Sequence, residues 1–287
     1  MTAARALPGR AGNDVRSSRP VWWLVFRREL GDLWIGGKAL NLLVLFSVLM
    51  SLTAFLLATN GELSLIAPRM MVVVSIQAAI TFGLFIGLVI AAESFSGERE
   101  RATLEPLLLA PAGRRHLVAG KFLAAMSLWP VAFLVSVPYV VVLAQGDLAL
   151  VPGLLWGALL GTLVTVAYAG LGVLLSMWSN SSRTSLFVVL LVYVASLIPA
   201  QLPGEVQDTA VGAFLRAVDP LEAVRQFLDQ GFVAVRRVEE IQGLLFAPIA
   251  LTGLVLGLVF LYAPSRLRLE ATAGLSRSAS DQGKGGT

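Results

Sequence analysis

The chain has 287 residues, 56% apolar and 14% charged, with a mean hydropathy of +0.79; soluble domains carry roughly a quarter charged residues, so a soluble fold is excluded. The formal net charge of +4 comes without a basic face interleaved with base-stacking aromatics, which argues against nucleic acid as a partner. With no Cys and one His, disulfides, thiolate chemistry and a histidine-based metal cage or catalytic triad are excluded too.

Residues 1–19 are rich in Gly, Ser, Ala and charge and read as a tail with little fixed structure. The apolar run 21–26 is too short, and too soon followed by charge, for a secretory signal. Trp22, Phe26, Leu30, Leu33 and Trp34 then recur at helical spacing while Arg27, Arg28 and Asp32 fall largely elsewhere. The pattern predicts an interfacial helix, carrying Trp22, Trp23, Phe26, Arg27 and Arg28, with its aromatic side toward lipid. A juxtamembrane linker with an aromatic belt is the alternative reading.

Six apolar runs follow, at about 39–59, 70–92, 122–144, 153–178, 184–200 and 244–263. Each is long enough to cross a hydrocarbon core of roughly 30 Å as a helix. They are continuous rather than alternating, which disfavours barrel strands. The fold class is therefore an all-α polytopic membrane protein, with 20–270 as the six-span domain and 271–287 as a second tail. If the N-terminus is inside, the inner segments hold 17 of the 22 Lys and Arg residues, which predicts that both termini are cytoplasmic.

The spans carry no Asp, Glu, Lys, Arg or His in their interiors, so they lack the usual groups of a proton relay or ion pathway. Their polar groups are Ser, Thr, Tyr and Gln77, which fits an amphiphilic cargo better than an ionic one. Pro130, Pro138 and Pro248 predict kinks in the third and sixth spans. The pairs Gly83 and Gly87, Gly157 and Gly161, and Gly253 and Gly257 suit close helix packing, within one subunit or between two.

Between the second and third spans lies a charged block, residues 93–121. Gly97 is expected to end the second span, Thr103 to cap a new helix and Pro106 to fall in its first turn. The resulting short helix, 104–110, stops before Pro111. Leu104, Leu107 and Leu108 would rest on the membrane domain. Glu93, Glu98, Glu100 and Glu105 interleave with Arg99 and Arg101, and Arg101 stands four residues before Glu105, so a salt-bridged surface helix is favoured over a metal site. His116, beside Arg114 and Arg115, reads as a solvated loop residue. No phosphate-binding loop is present, because Gly36-Gly37-Lys38-Ala39 and Ala119-Gly120-Lys121-Phe122 lack the Ser or Thr after Lys and the earlier Gly.

Residues 201–243 form the one long outer loop, with no disulfide to order it. Asp219 supplies an N-cap acceptor, Pro220 the first helical residue and Glu222 the third. Leu221, Val224 and Leu228 share one face, and Glu222, Arg225, Gln226 and Asp229 take the other. This predicts an amphipathic helix at the outer interface, stopping near Gly231.

The run Glu98-Arg99-Glu100-Arg101-Ala102-Thr103-Leu104-Glu105, then Leu107-Leu108, Pro111, Arg114-Arg115 and Gly120-Lys121, resembles the cytoplasmic signature of type 2 ATP-binding-cassette (ABC-2) permeases. Ala102 stands where that family usually has Gly, and Pro106 follows Glu105 directly. The resemblance extends over the chain in span number, N-terminal elbow helix and outer helices before the last span. It implies an export permease subunit without catalytic activity of its own, in a prokaryotic plasma membrane. It further implies that a coupling helix (Glu98, Arg99, Glu100, Arg101, Thr103, Leu104, Glu105, Pro111) and the elbow helix dock a separate ABC ATPase, present in two copies. This chain would need no cofactor, since ATP and Mg would bind the ATPase. A second permease subunit, identical or different, and membrane lipid are the other implied partners. The alternative is a non-transporting membrane scaffold or assembly factor that recruits a cytoplasmic partner. An adjacent reading frame encoding an ATPase separates the two.

Overall fold

Apolar runs that cannot reach water must close their backbone hydrogen bonds locally, and a helix does this within one segment. The computed structural model describes residues 20–59, 67–101, 113–203 and 209–262. In chain order its helices are α1 (Val21–Trp34), α2 (Lys38–Thr59), α3 (Pro68–Glu100), α4 (Arg114–Met126), α5 (Leu128–Ala144), α6 (Leu150–Trp178), α7 (Ser182–Gln201), α8 (Ala210–Val218), α9 (Pro220–Leu228), α10 (Val238–Ile241) and α11 (Phe246–Gly257). A π-helical turn (Asp229–Val233) follows α9, a 3-10 turn (Gln242–Leu245) joins α10 to α11, and a second π-helical turn (Leu258–Tyr262) follows α11. No strand occurs among the described residues. Six helical segments are long and apolar enough to cross a membrane: α2, α3, α4 continued by α5, α6, α7, and Val238–Tyr262. The all-α polytopic class read from the sequence is the one observed.

Consecutive crossings alternate in direction. The start of α2 meets the end of α3 through Lys38 and Glu93, and the start of α3 lies beside Asp147 through Arg69. One end of the bundle therefore gathers α1, the end of α3 and the start of α4; the far end carries α8 and α9.

Three local features depart from the sequence expectations. Gly97 does not end the second span: α3 runs on to Glu100 with Gly97 inside it. A helical Gly costs about 1 kcal/mol against Ala, and the partners that Glu98, Arg99 and Glu100 find on other helices offset that loss. The third span starts earlier, at Arg114, and is interrupted at Ser127, whose Oγ bonds the Ala124 carbonyl at 2.7 Å. Pro130 thus falls in the first turn of α5, where its missing N–H costs little. Pro248 likewise sits in the first turn of α11. These two prolines mark helix starts; Pro138 lies inside its helix, as does Pro199 in α7.

The core is built on α3 and α6, each of which buries 61% of its apolar stretch, against 17% for α2 and α7 and 22% for the last span. Small residues permit this contact. Trp129 fills the space over Gly83 and Gly161, Ile76 lies over Gly157, and Ala91 over Gly172. Trp129 Nε1 donates to Thr162 Oγ1 at 2.9 Å, which fixes the indole in that slot. The first two glycine pairs therefore serve packing within the subunit. A Cβ at Gly253 or Gly257 would meet nothing within 4 Å, so that pair faces outward.

Candidate functional site

At the α1 end, charge is buried and paired. Lys121 points from α4 into the space between α1 and α3, its side chain 1% exposed. It donates to Glu29 of α1 and lies against Glu98 of α3, both at 2.8 Å, with its Nζ 5.4 Å from the centre of the Phe95 ring. Gly120 is what allows α1 to come this close, because a Cβ there would stand 2.6 Å from Val25 Cγ1 and 3.0 Å from the backbone nitrogen of Phe26. The Gly-Lys pair is thus a contact surface and a strut in adjacent positions. Trp34 Nε1 adds a bond to Ser127 Oγ at 3.3 Å.

The end of α3 acts as a hub. Arg99 donates to the carbonyls of Ser179 at 2.6 Å and Met177 at 3.1 Å, satisfying acceptors left open where α6 ends. Glu100 accepts the amide of Ser182 at 3.1 Å, where α7 begins. Glu98, Arg99 and Glu100 therefore tie α3 to α4, α6 and α7 respectively. Arg101 is exposed. A cleft of about 1150 Å³ lies among these elements, lined by Glu29, Asp32, Lys38, Glu93, Glu100 and Arg101. Thr103, Leu104, Glu105 and Pro111, with the short helix expected at 104–110, lie outside the described residues.

The elbow helix forms as α1. Leu33 is buried, Trp22 and Phe26 are half-buried, and Arg27 and Arg28 are exposed. Trp23 stacks on Phe26 with ring centres 5.4 Å apart and leaves 38% of its surface uncovered.

The far end holds the larger departure from the sequence. Asp219 caps α9, its Oδ1 accepting the amide of Leu221 at 2.9 Å, and Pro220 is the first helical residue. Yet α9 does not lie on a surface. Pro220, Leu221, Glu222, Ala223, Val224, Phe227 and Leu228 are all buried, and the Phe227 ring meets Trp156 of α6 at 4.9 Å. The expected outer interfacial helix is instead packed among the spans. On its charged side Glu222 is buried, Arg225 and Gln226 are half-buried and Asp229 is exposed, and this side meets polar groups that the spans carry. Arg225 Nη2 donates to Thr81 Oγ1 at 3.0 Å, and Gln77 Nε2 donates to Asp229 Oδ1 at 3.0 Å and to the Arg225 carbonyl at 3.2 Å. Tyr168 Oη lies 2.6 Å from Ser196 Oγ and 3.4 Å from Asp219 Oδ1. Tyr168 is far along α6, about 27 Å of helix axis from Leu150 at 1.5 Å per residue, so Asp219 reaches deep between the spans.

Asp219 and Glu222 are each only 9% exposed. Glu222 Oε1 accepts from Gln226 Nε2 at 3.0 Å, while Asp219 Oδ2 and Glu222 Oε2 have no hydrogen-bond partner. Burial is the main influence on Asp219, which lies outside the six spans of the chain, and pushes its carboxyl up to about 6 against the pull of the Leu221 and Glu222 amides. Burial raises Asp229 too, with the Gln77 hydrogen bond acting in the opposite sense. The sequence singled out Gln77, Asp219, Pro220 and Glu222 but gave no sign that Gln77, Tyr168 and Ser196 receive the outer helix.

A family model described as ABC-2 family transporter protein matches residues 23–264. No curated protein matches the chain.

Proposed function

The chain belongs to the ABC-2 family of transporter proteins, and on that premise we propose that it docks a separate ATPase at its α1 end and exports an amphiphilic cargo. Its part as the membrane permease subunit follows from the family and the six crossings. The observation that supports docking is the Lys121 strut. It joins α1 to α3 and α4, the two helices that flank the segment 102–112, through ion pairs whose lysine side chain is 1% exposed. A push on that segment or on α1 would move all three helices together, as a rigid-body switch between access states requires.

The Lys and Arg bias supports a cytoplasmic α1 end, where ATP and Mg would be held by the partner. α2, α7 and the last span leave most of their apolar surface uncovered by this chain, which supports lipid and a second permease subunit as neighbours. Two permease subunits and two ATPases would complete the transporter.

The test is affinity purification of the tagged chain from its native membranes in mild detergent, with mass spectrometry and an ATPase assay. The expected result is a co-purifying ATPase with a phosphate loop, lost on combined charge reversal of Arg101 and Glu105, positions that leave the Lys121 strut intact. If the protein emerges without an ATPase in every detergent tried, the scaffold reading takes its place.

A further inference from the structure

Two buried carboxyl groups lie deep in the membrane domain with no cation beside them. Among the described residues no Lys or Arg nitrogen pairs with Asp219 or Glu222. Arg225, on the same helix, spends its Nη2 on Thr81. A buried carboxylate without a partner is costly enough that it takes up a proton or waits for a positive ligand. Each group also keeps one oxygen, Asp219 Oδ2 and Glu222 Oε2, without a hydrogen-bond partner among the described residues. Asp219 and Glu222 are three residues apart at the start of α9, so they share one side of it.

A cavity adjoins this pair through Gln226, although neither carboxyl lines it. Gln226, which donates to Glu222 Oε1, also lines a cavity of about 490 Å³ together with Ala223, Leu244, Phe246, Ala247 and Arg216. That volume is in the range of small-molecule sites, and its walls are apolar apart from Gln226 and Arg216. We propose that Asp219 and Glu222 form a binding site for the ammonium group of a cationic amphiphile, whose hydrocarbon part lies in the cavity between α9 and α11. The proposal rests on the permease reading above and narrows its cargo. Two carboxylates suit an ammonium better than a bare metal ion, for which the described residues supply no group of three ligands. A proton on Asp219, whose carboxyl burial raises, competes with the ammonium as the pH falls. The other titratable groups facing the pair are Tyr168 from α6 and, on α9 and just after it, Arg225 and Asp229; Arg216 stands on the α8 wall of the cavity.

The test measures equilibrium binding of dodecyltrimethylammonium and of dodecanol, its neutral counterpart, to the full chain in nanodiscs at pH 7.5 and pH 5. The variants are Glu222→Gln and Asp219→Asn, the second chosen because Asn still caps a helix. The expected result is cation binding at pH 7.5 that weakens at least about tenfold in either variant and at pH 5, with dodecanol unchanged throughout. Unaltered cation binding in both variants overturns the proposal, and so does a parallel loss of both ligands, which would make the carboxyls structural. The measurement needs no ATPase, so it can fail while the co-purification succeeds, or the reverse.

Discussion

The two buried charged regions of this molecule solve the same problem in opposite ways. At the α1 end Lys121 lies between two glutamates on two other helices, so one cation locks three elements together. Between the spans at the far end Asp219 and Glu222 are buried beside hydroxyls and amides, with no cation of their own. A paired charge makes a strut, and an unpaired one leaves a valence for something else. The first region suits the transmission of force, the second the reception of a ligand.

The sharpest way to break that contrast is to turn the first region into a copy of the second. Lys121→Met leaves Glu29 and Glu98 facing each other without a counter-ion, and removing one partner of a buried pair typically costs about 3–5 kcal/mol. Thermal unfolding of the purified chain should show that loss. The double variant Lys121→Met with Glu98→Gln should recover part of it. If Lys121→Met unfolds like the wild type, the strut carries no stability and the contrast fails.

The next effect is steric. Gly120→Ala drives a Cβ against Val25 and, less yieldingly, against the backbone nitrogen of Phe26, an overpacking that costs about 1–3 kcal/mol. Val25→Ala should relieve the part due to the side chain and leave the part due to the backbone. The purified chain's unfolding midpoint reads both, and ATPase retention during purification reads whether α1 must sit close to transmit anything.

The second region predicts a pH signature. The Asp219 carboxyl, ordinarily titrating near 3.8, is pushed up to about 6 in the fold, so the folded chain holds its proton more tightly than the unfolded chain does. The stability it contributes is complete below about pH 4 and is lost as the pH rises through about 6. Asp219→Asn should flatten that slope while keeping the cap, whereas Asp219→Ala should lose the slope and about 1 kcal/mol of helix capping besides. Unfolding midpoints at pH 4, 5, 6 and 7 separate these outcomes.

What the sequence revealed follows the same division. The crossings were legible because twenty consecutive apolar residues leave the backbone one solution, and the start of α9 was legible because Asp219-Pro220-Leu221-Glu222 states its own cap. The depth of α9 was not. Its face of Glu222, Arg225, Gln226 and Asp229 looks like a solvated face in one dimension, and only the positions of Gln77 and Thr81 on α3 reveal that a span meets Arg225 and Asp229. The role of Gly120-Lys121 was likewise hidden, since its partners Val25 and Glu29 lie more than ninety residues earlier. Gly97 misled because a residue that commonly breaks a helix stays helical when the residues after it are held from outside.

The smallest predicted effect is the most useful control, because it keeps the chemistry of the strut and removes only its burial. Lys38 and Glu93 meet at 2.7 Å, as close as Lys121 and its partners, but their side chains are 51% and 33% exposed. Water screens such a pair and both side chains lose rotamer freedom in making it, so exposed pairs contribute between nothing and about 1 kcal/mol. Lys38→Ala should therefore shift the unfolding midpoint by a small fraction of the Lys121→Met shift, and raising the salt from 0.05 to 0.5 M (roughly a threefold shorter screening length) should erase even that. Equal losses at the two lysines would mean that separation alone sets the strength of these pairs. A large difference, insensitive to salt at Lys121, would identify burial as what turns the Gly-Lys pair of α4 into a mechanical link.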